Sequence, residues 1–161
     1  MKKLIYLLLF ASGALNAQNP LVFAHRGGAG MAPENTMAAF SNAIAVNADY
    51  FELDVMMSLD DSLMIMHDAT VDRTTDGTGT LASKTYAELR NLDAGSWYSA
   101  AFAGEKVPTL YEALKLAKDS PNNTGVIIEL KSSETELPGA VVATVQKLGM
   151  QGDVIISSFS L

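Results

Sequence analysis

The 161-residue chain contains no cysteine. That excludes a disulfide framework, a thiolate-ligated metal centre and a lipid-modified cysteine at a leader cleavage point. Positive charge is scarce: eleven Lys and Arg stand against eighteen Asp and Glu, for a formal net charge of −7. A surface of that sign repels nucleic acid at long range, so no nucleic-acid partner is expected, and a small anion would need local cations or a metal to bind. A long hydrophobic run is also missing. The apolar stretch Leu4 to Leu15 is too short to cross a bilayer and gives no stable membrane span. Internal repeats, low-complexity tracts and linkers are absent too.

What is there begins with a leader. Lys2 and Lys3 precede the apolar stretch, and Ala17 stands before Gln18-Asn19-Pro20. This is the layout of a secretory signal peptide over residues 1–17, cleaved after Ala17, and it predicts a periplasmic or extracellular product. Residues 18–161 then suffice for one domain.

Leu21 to Ala24 reads as a buried strand, and Asn35 or Thr36 caps a helix through Met37, Phe40, Ile44 and Ala48. A second strand spans Tyr50 to Met56, and Leu63 to Met66 returns beside it after an Asp60-Asp61 turn. Residues 68–106 are rich in Thr, Gly, Ser and Asp and form an inserted excursion, with weak helical periodicity from Tyr86 to Leu92. Thr109 and Glu112 have capping-box spacing ahead of a helix through Ala117. Strand Val126 to Leu130, helix Leu137 to Leu148 and strand Val154 to Ser157 complete an alternating α/β pattern, which implies a parallel sheet covered by helices. These are four core strands, about half of a closed (β/α)8 barrel, so the chain is expected to be a C-terminally truncated barrel.

The chain has two histidines, His25 and His67, both at expected strand ends. Imidazoles titrate near neutrality, so two of them can move protons on opposite sides of a reacting centre. Glu52 and Asp54 lie two apart in a strand and share a face, and Glu129 and Lys131 repeat that spacing. Such carboxylates serve either as a solvated edge or as ligands, and three hard oxygen donors favour Mg²⁺ or Ca²⁺. Arg26 either grips a phosphate in a bidentate fork or pairs with a neighbouring carboxylate. Gly27-Gly28-Ala29-Gly30 allows close backbone approach to a ligand, but Pro33 breaks the dinucleotide-binding pattern. Trp97, Tyr98 and Phe102 line a binding wall or form local core.

The ordered series His25-Arg26-Gly27, Pro33-Glu34-Asn35-Thr36, Ala39-Phe40, Glu52-Leu53-Asp54-Val55, His67-Asp68, Asp72-Arg73-Thr74-Thr75, Gly77-Thr78-Gly79 and Glu129-Leu130-Lys131 resembles the glycerophosphodiester phosphodiesterases. Ser157-Ser158-Phe159-Ser160 is similar to that family's fourth strand ending. The resemblance implies a TIM (β/α)8 barrel with a small insertion after the second strand, of which this chain holds the N-terminal half. It also implies hydrolysis of a small-molecule glycerophosphodiester to glycerol 3-phosphate and an alcohol. His25 and His67 would be the acid–base pair, Glu52, Asp54 and Glu129 the ligands of one divalent cation (Ca²⁺ or Mg²⁺), and Arg26 and Lys131 the phosphate contacts. Two alternatives are a phospholipase-D-like lyase forming a cyclic phosphate, disfavoured by the missing cysteines, and a non-catalytic binding protein of the same fold. Residues 18–161 alone are expected to be inactive.

Overall fold

The computed structural model describes residues 20–131 and 134–159; the expected leader, residues 1–17, lies outside them. The strands are β1 (Phe23–Ala24), β2 (Tyr50–Met57), β3 (Leu63–Ile65), β4 (Gly125–Leu130) and β5 (Val154–Ser158). The helices are α1 (Met37–Ala45), α2 (Tyr86–Asn91), α3 (Leu110–Lys118) and α4 (Leu137–Leu148). Strands β1, β2, β4 and β5 lie side by side in that order, all parallel, and β3 folds back antiparallel on β2. This is an α/β unit with the strand order of a partial barrel.

Alternation along the strands builds two surfaces. Phe51, Leu53 and Val55 of β2 and Val126, Ile128 and Leu130 of β4 point to one side, where they meet apolar residues of all three long helices. Residues Leu110, Ala113, Leu114 and Ala117 of α3 and Leu137, Val141, Val145 and Leu148 of α4 recur at helical spacing and fill that side. Phe40 of α1 stacks on Phe51 at 4.7 Å between ring centroids. Thr36, rather than Asn35, caps α1, accepting from the Ala39 N–H at 3.3 Å. Capping boxes start α2 at Thr85 and Glu88 and α3 at Thr109 and Glu112, and Gly149, at φ 68°, ends α4 in the left-handed conformation.

The other side of the sheet carries the polar pattern. Registers pair Glu52 with Ile127 and Asp54 with Glu129, so the acidic positions of β2 and β4 sit at neighbouring points of one face. At the upper end of the β2–β3 hairpin that face is covered by the inserted segment: Met56, Met64 and Met66 pack with Val71, Leu81, Leu89, Ala94 and Val107 in a second small core.

Two expectations are corrected. The stretch Leu21 to Phe23 is not buried: these residues are 59%, 54% and 51% exposed, because β1 pairs on one side with β2 and nothing among the described residues covers its other flank. The first helix ends at Ala45 rather than Ala48, where Asn47 turns left-handed at φ 57° and Ala48 drops into the core before β2. The excursion holds short 3-10 turns at Leu81–Ser83 and Ala100–Phe102 besides α2. Trp97, Tyr98 and Phe102 stack edge to face within it, each step 5.7 Å, as local packing. Among the described residues no helix is long and apolar enough to cross a membrane.

Candidate active site

His25 stands immediately after β1, in a 3-10 turn (His25–Gly27) that bends the chain across the strand ends. Arg26 takes a left-handed conformation there, φ 50° and ψ 37°, which a non-glycine residue rarely adopts. Two contacts hold it: its backbone N–H donates to Glu52 Oε2 at 2.7 Å, and its carbonyl accepts from the Asn35 N–H at 3.0 Å. Gly27 follows because nothing larger fits; a Cβ would lie 2.7 Å from the Phe40 ring and 2.8 Å from the Ala39 methyl. The turn is thus pressed onto α1, and the backbone strain is stored where side chains converge.

One carboxylate oxygen from each of Glu52, Asp54 and Glu129 lies within 4.8 Å of the others. Asp54 is 1% exposed and held on both sides by Asn35, whose side-chain amide donates to Asp54 Oδ2 at 2.7 Å and whose carbonyl oxygen accepts from the Asp54 N–H at 3.3 Å. Lys131 donates to Glu129 Oε1 at 2.9 Å and approaches Asp54 Oδ1 at 3.8 Å. Burial pushes the Glu52 carboxyl up; the Arg26 N–H pulls it back, while the charges of Asp54 and Glu129 add to the rise. Glu52 Oε1 is buried with no hydrogen-bond partner. An orphaned carboxylate oxygen beside two more carboxylates fits a divalent cation that takes oxygen ligands at about 2.0–2.6 Å.

His25 Nε2 reaches within 3.9 Å of Glu52 Oε2, and its ring is 71% exposed. His67 lies two residues beyond β3 rather than at its end; the Met66 N–H bonds the Asp54 carbonyl at 2.9 Å and ties that segment to β2. His67 Nδ1 meets Asp68 Oδ1 at 2.7 Å. Arg26 Nη1 donates to Glu34 Oε1 at 2.8 Å and its Nε stands 3.6 Å from Asp54 Oδ2, so its guanidinium pairs with carboxylates in this structure.

Residues without an assigned role in the sequence turn out to join these groups. Arg73 donates to both oxygens of Glu34, at 2.8 and 2.9 Å, and to Asp68 Oδ2 at 2.6 Å. Burial opposes ionisation of Glu34, but the hydrogen bonds and charges of Arg73 and Arg26 outweigh it and hold the carboxyl below its ordinary value. Arg73 likewise holds the Asp68 carboxyl down at about 2, with help from His67. Both Glu34 and Arg73 sit inside motifs of the family resemblance, yet a separation of 39 positions hides the pairing.

Residues 25–161 match the sequence profile of the Glycerophosphoryl diester phosphodiesterase family. The chain belongs to that family. Its curated relatives include glycerophosphodiester phosphodiesterases of Caldanaerobacter subterraneus subsp. tengcongensis, 43% identical over 87% of this chain and 58% of the relative, and of Bacillus subtilis, 40% identical over 91% and 54%. A crystal structure of glycerophosphodiester phosphodiesterase from Agrobacterium tumefaciens superposes with a TM-score of 0.80 at 43% identity, covering 87% of this chain and 58% of that one. An Oleispira antarctica phosphodiesterase in complex with its product sn-glycerol-3-phosphate gives 0.78 at 39% identity, covering 88% and 58%. This member of the family therefore spans somewhat over half the length of these relatives, and its sheet is a partial barrel of the TIM type.

Proposed function

We propose that the protein carrying this chain hydrolyses glycerophosphodiesters to glycerol 3-phosphate and an alcohol, with a divalent cation, Ca²⁺ or Mg²⁺, held by Glu52, Asp54 and Glu129. The observation that carries the reading is the placement of His25 Nε2 3.9 Å from one oxygen of a carboxylate trio whose other Glu52 oxygen is buried and unpartnered. When bound, the cation supplies Lewis-acid polarisation of a phosphoryl oxygen and offsets charge developing there. His25 and His67 serve as the acid–base pair: one imidazole accepts the proton of the attacking hydroxyl or water and the other delivers one to the leaving oxygen. Lys131 and Arg26 orient the phosphate. Lys131 keeps donor capacity beyond its bond to Glu129, and the Nε of Arg26 has no hydrogen-bond partner. Membership of the family and the sn-glycerol-3-phosphate named in the Oleispira structure support the substrate class. Residues 1–17 direct export by this reading, and the mature protein works in the periplasm or outside the cell.

The test uses the whole purified protein with glycerophosphocholine, following glycerol 3-phosphate release. Turnover should vanish in chelator and return with Ca²⁺ or Mg²⁺. His25→Ala and His67→Ala should each lose about 10²- to 10⁴-fold in kcat while melting as the parent does. A near-parental rate in either histidine variant removes the acid–base assignment.

A further inference from the structure

The insertion contributes one charged group that touches both halves of the site without belonging to either. Arg73 has its Nε on Asp68 and both terminal nitrogens on Glu34. Each of these carboxylates passes the contact on. Asp68 meets His67 at Nδ1, 2.7 Å away, and Glu34 accepts from Arg26, whose backbone N–H holds Glu52 and whose guanidinium faces Asp54. The chain of contacts therefore runs His67, Asp68, Arg73, Glu34, Arg26 and on to the carboxylate trio. Glu34 is 11% exposed at its side chain and Arg73 44%, so the fork is sheltered on its carboxylate side and open to solvent on the guanidinium side.

We infer that Arg73 is a positioning residue that, through Asp68, holds neutral His67 as the Nδ1–H tautomer with Nε2 free to accept a proton, and, through Glu34, keeps Arg26 against the carboxylate trio. An ionised carboxylate is an acceptor with no proton to give, so the hydrogen between Asp68 and His67 sits on Nδ1. The low pKa of Asp68 keeps it in that form across the working range of pH. A guanidinium offers donors in a rigid fork that a lysine ammonium does not, so it can serve two carboxylates at once and fix their relative orientation. The consequence for catalysis depends on the acid–base role proposed above for His67.

The experiment uses the whole protein labelled with ¹⁵N at histidine. Two-bond proton–nitrogen spectra at alkaline pH, assigned by difference against His67→Gln, report its tautomer directly, and kcat and KM for glycerophosphocholine are measured on the same samples. The parent should show the Nδ1–H form. Arg73→Lys should give a mixture of tautomers with kcat down about 10- to 100-fold and KM nearly unchanged. Asp68→Asn should move His67 toward the Nε2–H form, because a carboxamide can donate to Nδ1. Arg90→Lys, on the same insertion but bonded to the Val107 carbonyl and Glu112, should leave the His67 tautomer as in the parent. An Nε2–H parent, or an Arg73→Lys protein with parental tautomer and kcat, overturns the inference and leaves the proposed hydrolysis standing. If Arg73→Lys does not fold, the Asp68→Asn spectrum decides alone, and an unshifted tautomer there also overturns it. A parent that turns over no glycerophosphodiester but loses its Nδ1–H form in Arg73→Lys supports the positioning and removes the functional reading instead.

Discussion

Glu52→Gln separates the cost of the carboxylate trio from its use. Two carboxylate oxygens at the 4.8 Å outer limit of the trio repel by about 3 kcal/mol at an effective dielectric constant of 20. Lys131, at 2.9 Å from Glu129 and 3.8 Å from Asp54, offsets much of that charge and leaves about 1–3 kcal/mol against ionising Glu52 when no cation is bound. Glutamine keeps the shape and still accepts the Arg26 N–H, at a loss of about 1 kcal/mol for a neutral acceptor. The cation-free variant should therefore be more stable than its parent at pH 7.5 by about 1 kcal/mol, a rise of about 2–4 °C in Tm.

With cation the order should reverse. At a hundred times its Kd a cation stabilises the parent by about 2.7 kcal/mol, and a tenfold weaker site would gain about 1.4 kcal/mol from the same concentration. The pH dependence follows from the direction of the Glu52 shift. Its folded-state pKa is raised above the ordinary 4.5, so its contribution is fully present below 4.5 and is lost as pH rises through the folded value. In chelator the two proteins should melt together in acid and diverge toward neutrality. Paired thermal scans across pH, in EDTA and in excess Ca²⁺ or Mg²⁺, measure both effects. A variant that melts lower than its parent in EDTA at pH 7.5 and keeps the full cation-induced shift would refute the reasoning.

Phe40→Ala removes a fully buried ring stacked on Phe51 and should destabilise the protein by about 3–5 kcal/mol in urea unfolding; a loss under about 1 kcal/mol would mean that α1 does not anchor the sheet. Glu34 and Asp68 both titrate below their ordinary values, so the stability they contribute is full above about pH 4.5 and is lost as pH falls through their folded-state values. Arg73→Met should flatten that acid limb in pH-dependent melting, and an unchanged slope would show that the network is not coupled to folding.

The frame of this molecule was legible because its signals are local. Period-two alternation in Phe51 to Val55, the Thr109 and Glu112 capping box, and the i, i+4 apolar spacing of Leu137, Val141 and Val145 each lie within a dozen residues and match the observed elements. The gathering of Glu52, Asp54 and Glu129 was legible for a related reason: once strands are parallel, residues of equal parity at neighbouring registers meet. What could not be read depends on the insertion's path. No pattern within 39 residues joins Arg73 to Glu34, and no propensity predicts a left-handed Arg26. The exposure of Leu21 to Phe23 escaped too, because an apolar run reads as buried whether or not a neighbour covers it.

These features share a division of labour within one strand. The odd residues of β2, Phe51, Leu53 and Val55, are fully buried against helices and carry stability. The even residues Glu52 and Asp54 face the other way, where burial and neighbouring like charge oppose ionisation of Glu52. A strand can carry both because successive side chains project to opposite faces, so a change at Asp54 need not disturb the packing of Leu53. The cost on the acidic face is met nearby, by Lys131, by Asn35 and by the strained turn at Arg26, each of which contacts Asp54 or Glu52. A polar cluster bound this closely to its own supports, on the face opposite the packing of α1, α3 and α4, can change its chemistry without unfolding the sheet beneath it.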